Sequence, residues 1–154
     1  MRNIVKPLVI AAALGFAGAA HAQDHDGLEY RLLAANANSA TMVSTSVSGP
    51  QNARRLTNIM MADSPGASGA DNFVSDVVVD CPAGTIEYTR SVVYAGDREL
   101  AVLPASDEKR VPGEETMDAS VVEYACKGLV HRGNTPKVRG LGAAREQGRA
   151  AMGQ

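Results

Sequence analysis

Residues 75–100 read SDVVVDCPAGTIEYTRSVVYAGDREL, two strand-like runs on either side of a cysteine, and their reading decides the fold class. In the first run Val77, Val79 and Cys81, with Phe73 just upstream, share one side of an extended chain. Asp76 and Asp80 fall on the other, because successive side chains of a strand alternate across the sheet. Pro82-Ala83-Gly84 reads as a turn. Beyond it Ile86, Tyr88, Val92 and Tyr94 alternate with Glu87, Thr89 and Ser91, the longest strand signal in the chain. Gly96-Asp97 turns the chain into a short strand, Leu100 to Leu103. Cys81 thus points with the set expected to be buried.

Further strands are expected upstream. Leu28 to Ala34 places Leu28, Tyr30 and Leu32 on one side and Glu29 and Arg31 on the other. Ala40 to Val47 is rich in Thr, Ser and Val and is closed by Gly49-Pro50, and Arg54 to Met61 is a third candidate. Between these and Phe73, ADSPGASGADN (Ala62 to Asn72) reads as a mobile loop without core-forming residues, and it carries neither a phosphate-cradling spacing nor a nucleophile elbow. Downstream, Pro104 to Pro112 is a polar connection. Gly113 then precedes EETMDASVVEYACK, read as a helix with Glu114 and Glu115 in its first turn, Lys127 in its last and Gly128 as C-terminal cap. Ala119, Val122 and Cys126 share one face of it, with Ala125 close by, and that face is expected to lie on the sheet.

The ends of the chain carry different signals. Arg2 and Lys6, the apolar stretch Leu8 to Ala20 and the tripeptide Ala20-His21-Ala22 read as a signal peptide over 1–22, removed on export. The apolar run is too short for a membrane span, and no second one follows, so no transmembrane segment is expected in the mature chain. Residues 23–128 make one domain. Without Trp and with few aromatics its core is expected to come from Val, Leu, Ile, Met and Ala, which favours a thin, one-sheet architecture. Charge is divided unevenly: Gln23 to Cys126 holds 7 Lys/Arg against 16 Asp/Glu, whereas Lys127 to Gln154 holds 6 against 1. The segment 129–154, broken by repeated Gly and a Pro, is read as a basic, mostly disordered tail in which Leu141 to Met152 forms a frayed helix at most.

Cys81 invites three readings: nucleophile, metal ligand or staple. A nucleophile needs a nearby base, and the mature chain offers only His25 and His131, each near an end expected to be disordered. Zinc needs about four ligands with short-range pairs, which are missing. In an exported chain with two cysteines expected to face one core, a Cys81–Cys126 disulfide is the favoured reading. Asp107-Glu108 and Glu114-Glu115 fall in polar loops or at a helix start, where solvation and the helix dipole account for them, so no catalytic residue is assigned. Arg54-Arg55 and the tail arginines lack interleaved aromatics, so nucleic acid is not an expected partner. Cleavage after Ala22 would create the N-terminus Gln23-Asp24-His25, whose amine, amides and imidazole can enclose Cu(II) or Ni(II) in a square-planar nitrogen set, unless Gln23 cyclises and consumes the amine.

The order of elements resembles the surface-adhesin protein E-like family over roughly Leu28 to Lys127: strands, VVVDC ending in a cysteine, the tyrosine-bearing TIEYTRSVVY, a turn, then VPGEE leading into a helix that closes on ACK. The resemblance implies an α+β fold, a small antiparallel sheet of five or six strands against one C-terminal helix, with Cys81 and Cys126 at the family's disulfide positions. The family's namesake adheres to host matrix and plasma proteins. This chain lacks tryptophan, a lipid-attachment cysteine and a lysine-rich surface segment, so no adhesin residue carries over. The expected function is an exported, non-enzymatic envelope protein, periplasmic or secreted, that binds an unidentified partner without a cofactor. A periplasmic metal-handling protein using Gln23-Asp24-His25, or an accessory or inhibitor subunit of an envelope complex, are the rival readings.

Overall fold

The computed structural model describes residues 24–106, 108–130 and 135–153. Six strands follow one another in a meander: β1 (Glu29–Ala35), β2 (Ser39–Ser44), β3 (Arg54–Ala62), β4 (Asn72–Asp80), β5 (Thr85–Ala95) and β6 (Arg98–Leu103). Helix α1 (Met117–Lys127), a two-residue strand β7 (Val138–Arg139) and helix α2 (Leu141–Ala151) complete the chain. All strand pairs are antiparallel, in the order β6-β5-β4-β3-β2-β1-β7. The fold class is the expected α+β, but the sheet has seven strands, because the tail supplies β7. No helix among the described residues is long and apolar enough to cross a membrane.

Both faces of the sheet are buried, each over a different half. On one face α1 covers Leu33, Val43, Leu56, Val77, Val79 and Ile86 with its own Val121, Tyr124 and Ala125. On the opposite face α2 covers Tyr30, Leu32, Met42, Ile59, Met61 and Val74 with Leu141, Ala144 and Ala151. The ladder gives the geometry. The rows Leu56–Val77 and Arg54–Val79, at one end of the β3–β4 pair, lie beneath α1, whereas Ile59–Val74 and Met61–Asn72, toward the other end, lie beneath α2. The two helices therefore sit diagonally across the sheet.

Local chemistry sets the element ends. Asn36 Oδ1 accepts the amides of Asn38 and Ser39, both at 2.8 Å, and so shapes the β1–β2 turn. Gly96, at φ 60°, supplies the left-handed turn between β5 and β6. Thr116 caps α1 by accepting the Ala119 amide at 3.2 Å, and Gly128, at φ 68°, closes it with its N–H on Tyr124 O. The helix thus starts at Met117. Glu114 and Glu115 precede it rather than filling its first turn, and Ala119 and Val122 flank the buried face Val121/Tyr124/Ala125. The buried face is rotated from the expected Ala119/Val122/Cys126 face because Tyr124 belongs to it; its ring is buried, and its hydroxyl reaches Ser44 O at 3.3 Å. Cys81 and Cys126 are joined, with their Cα atoms 5.6 Å apart, which ties the last turn of α1 to the end of β4.

The tail departs from expectation. Val138 and Arg139 pair with Tyr30 and Glu29, Thr135 Oγ1 donates to Leu32 O at 3.2 Å, and α2 lies on the sheet. Its anchor is Arg145, only 4% exposed. Nε donates to Asn72 Oδ1 at 3.0 Å, Nη1 to Asp97 Oδ1 at 3.1 Å, and the guanidinium stacks 4.2 Å above the Tyr94 ring. Arg149 Nη2 donates to Asp71 Oδ2 at 3.3 Å. Gly148, one of the tail glycines that count against a helix, lies against β3: an added Cβ would fall 2.0 Å from the Met61 methyl. The acidic body is the partner of the basic tail, and the boundary drawn at residue 128 does not separate domain from disorder.

Candidate ligand cleft

Beyond the start of α2, the face it covers turns polar. One row of side chains crosses β2 to β5: Ser44, Thr57, Asp76 and Arg90. Ser44 Oγ accepts the Thr57 amide at 3.0 Å, Thr57 stands opposite Asp76, and Asp76 opposite Arg90. Just past this row β5 shifts register against β4, at Thr89, and Thr89 Oγ1 donates to Asp76 O at 3.1 Å. Such a bulge re-aims side chains toward a cleft.

A single 3-10 turn, His25–Gly27, lies over the row. His25 Nε2 is 3.0 Å from Asp76 Oδ1, and Tyr30 donates its hydroxyl to His25 O at 2.9 Å. Burial, then the nearby carboxylates of Asp26 and Asp76, push the Tyr30 phenol above its ordinary range, which keeps it a donor. Asp26 Oδ1 accepts the Leu141 amide at 3.3 Å, so the turn is also tied to the start of α2. The side facing away from α2 holds a cleft of about 260 Å³ lined by Ser46, Ser48, Arg55, Asp76 and Thr89, with Leu28 as an apolar wall. A second hollow of about 270 Å³ lies beside His25, against Asp24, Arg90, Tyr94 and Glu99.

The hydrogen-bonding capacity here exceeds what the fold uses. The Thr57 hydroxyl is buried without a partner, which costs about 1–3 kcal/mol unless something bonds it. The Arg55 and Arg90 guanidinium groups make no ion pair or side-chain hydrogen bond with any described residue. Hydroxyls that donate and accept, a guanidinium that only donates and a carboxylate that only accepts together suit a small polar molecule. Ser44 Oγ is engaged with Ser46 O and the Thr57 amide, and the His25 imidazole with Asp76, so these two do not form an activated hydroxyl–imidazole pair.

The residues singled out from sequence are distributed as follows. Cys81 and Cys126 come together as a disulfide. His25 is buried against Asp76 rather than near a disordered end; Gln23, whose amine the copper reading needs, lies outside the described residues, as do Asp107 and His131. Among the described residues no group of three or more His, Cys, Asp or Glu is arranged to hold a metal. Arg54 and Arg55 diverge, Arg54 donating to Gly49 O at 3.0 Å while Arg55 borders the cleft. Glu114 and Glu115 border a shallow groove of about 520 Å³ beside Val111, Pro112, Ala119 and Val122.

Sequence reasoning missed the row through Asp76. The available signal was an acid inside the strongest strand, on the face opposite Val77 and Val79. It also missed the clasp at the start of α1, where Tyr88 donates to Asp118, Arg110 donates to the other Asp118 oxygen, and the Arg110 guanidinium lies 5.3 Å above the Tyr88 ring. Burial and the bond to Asp118 push the Tyr88 phenol above its ordinary range, so this group ties the helix to β5 as a protonated donor. Compared with protein-family models, with characterised proteins and with solved structures, the chain matches none.

Proposed function

We propose that the protein is an exported, non-enzymatic binding module of the cell envelope and that it takes a small polar ligand in the cleft beside Asp76. The observation that carries this reading is the cleft of about 260 Å³ itself, which brings the Asp76 carboxylate, the hydroxyls of Ser46, Ser48 and Thr89 and the Arg55 guanidinium, unpaired with any described residue, around one space. A ligand with both donors and acceptors satisfies these groups together. Export is supported by the leader-like residues 1–22 and by a disulfide of the kind that persists in oxidising compartments. The resemblance of the element order to the surface-adhesin protein E-like family points the same way, toward binding.

The test is an amide-resolved NMR titration of the disulfide-intact protein with defined probes: a neutral monosaccharide, an amino acid and a dicarboxylate. At least one probe is expected to shift Thr57, Asp76 and Thr89 together, and Arg55→Ala, at the exposed border of the cleft, is expected to weaken that binding while the spectrum otherwise stays folded. Shifts that ignore this cleft, or binding unchanged in Arg55→Ala, would remove the assignment.

A further inference from the structure

The cleft beside Asp76 is bordered by two opposite charges that do not pair with each other. Arg55 stands opposite Val78 and Thr57 opposite Asp76, so Arg55 and Asp76 are diagonal neighbours on one face of the β3–β4 pair. Residues so placed lie about 7–8 Å apart, within reach of a side chain as long as arginine. No ion pair joins them, however. Asp76 Oδ1 is engaged by His25 at 3.0 Å, and Oδ2 has no partner among the described residues. Arg90, directly opposite Asp76, lines the other hollow with Asp24 and Glu99. Arg55 and Asp76 thus share one space with the hydroxyls of Ser46, Ser48 and Thr89 and the apolar wall of Leu28.

We infer that the cleft takes a zwitterion, a small α-amino acid whose carboxylate meets Arg55 and whose ammonium meets Asp76. The inference deepens the reading of this cleft as the binding site and rests on it. Charge decides between the ligand classes. A guanidinium matches a carboxylate through two parallel hydrogen bonds, and a carboxylate, which only accepts, matches an ammonium, which only donates. A ligand with a single charge answers one side of the cleft and leaves the other charge covered without a partner, which is costly. A dicarboxylate sets its second carboxylate against Asp76, and a neutral sugar neutralises neither group.

Size agrees with charge. A cleft of about 260 Å³ lies below the roughly 300–1,000 Å³ of pockets that hold drug-sized molecules. The ammonium and carboxylate of an α-amino acid sit on the same carbon, so a short ligand bridges the diagonal once the long Arg55 side chain reaches toward Asp76. Leu28 offers its wall to a short apolar side chain.

Calorimetric titration of the disulfide-intact protein, with amide shifts to locate the site, tests this. The probes are alanine, N-acetylalanine, which keeps only the carboxylate, alaninamide, which keeps only the ammonium, and glucose and succinate. Alanine is expected to bind and to shift Thr57, Asp76 and Thr89, and each blocked form to bind at least tenfold more weakly. In Arg55→Ala the preference for alanine over alaninamide is expected to vanish, and in Asp76→Asn the preference for alanine over N-acetylalanine. Should Asp76→Asn disturb the turn held through His25, Arg55→Ala decides alone, because that side chain is exposed and bonds no described residue. Blocked forms that bind as tightly as alanine would overturn the inference. Glucose or succinate entering the cleft while alanine does not would also overturn it, yet leave the cleft a binding site, whereas a cleft that none of the probes enters removes both readings.

Discussion

Helices α1 and α2 are of equal length and each buries one face against the same sheet, yet they are held by opposite means. Helix α1 presents large side chains, Val121 and Tyr124, and is fixed covalently at its last turn through Cys126. Helix α2 presents Ala144, Gly148 and Ala151, so little apolar area is available from its middle, and one buried arginine reaches across to Asn72 and Asp97. The contrast teaches that a helix docks in two ways: by what its own side chains bury, or by how closely its backbone approaches residues of the sheet. Met42, Met61 and Tyr94 supply the bulk that α2 lacks.

The comparison can be broken from either side. The largest effect is expected at the covalent helix: Cys81→Ser, or reduction, removes a crosslink spanning 45 residues, for which the chain-entropy model gives on the order of 4 kcal/mol, measurable by urea unfolding. For α2, Arg145→Ala is expected to cost about 3 kcal/mol in the same assay, because Asn72 Oδ1 is left buried without its donor and the stack on Tyr94 is lost. Gly148→Leu is expected to cost about 2 kcal/mol by driving a side chain into Met61, and Met61→Ala in the same chain to recover part of it.

A smaller effect is pH-dependent. Burial opposes ionisation of Asp71, but the Gly96 amide, Asn72 and Arg149 outweigh it and hold the carboxyl below its usual range. A carboxyl with a lowered folded value adds stability above its unfolded value, near pH 4, and loses it as pH falls through the folded one. Asp71→Asn should therefore flatten the acid limb of the stability profile below about pH 4, by under about 1 kcal/mol because the pair is partly exposed.

These two helices also mark how far the sequence could be read. The meander from β3 to β6, the Gly128 cap and the Cys81–Cys126 pair were legible because alternation, a left-handed glycine and a lone cysteine pair each have one dominant physical meaning. Helix α2 was legible only as a frayed helix at most, since its glycines count against a helix by propensity, whereas Gly148 marks a close approach that depends on Met61, 87 positions away in the chain. The buried role of Val74 and Asn72 was missed for a related reason: one-sided alternation assumes one covered face, and this sheet has two. The cleft beside Asp76 was the least legible feature. Asp76 reads as a solvent-facing acid until His25, 51 positions upstream, is seen to lie on it.

Whether the tail belongs to the fold is tested most directly by amide hydrogen exchange of the oxidised protein. Exchange in α2 is expected to be slowed to the level of β3 and β4. Arg145→Ala should lift that protection from α2 while leaving α1 slow, and Cys81→Ser should act first on α1. Exchange of the α2 amides at the rate of a free peptide, with β3 and β4 still protected, would contradict the account and return residues 129–154 to a disordered tail.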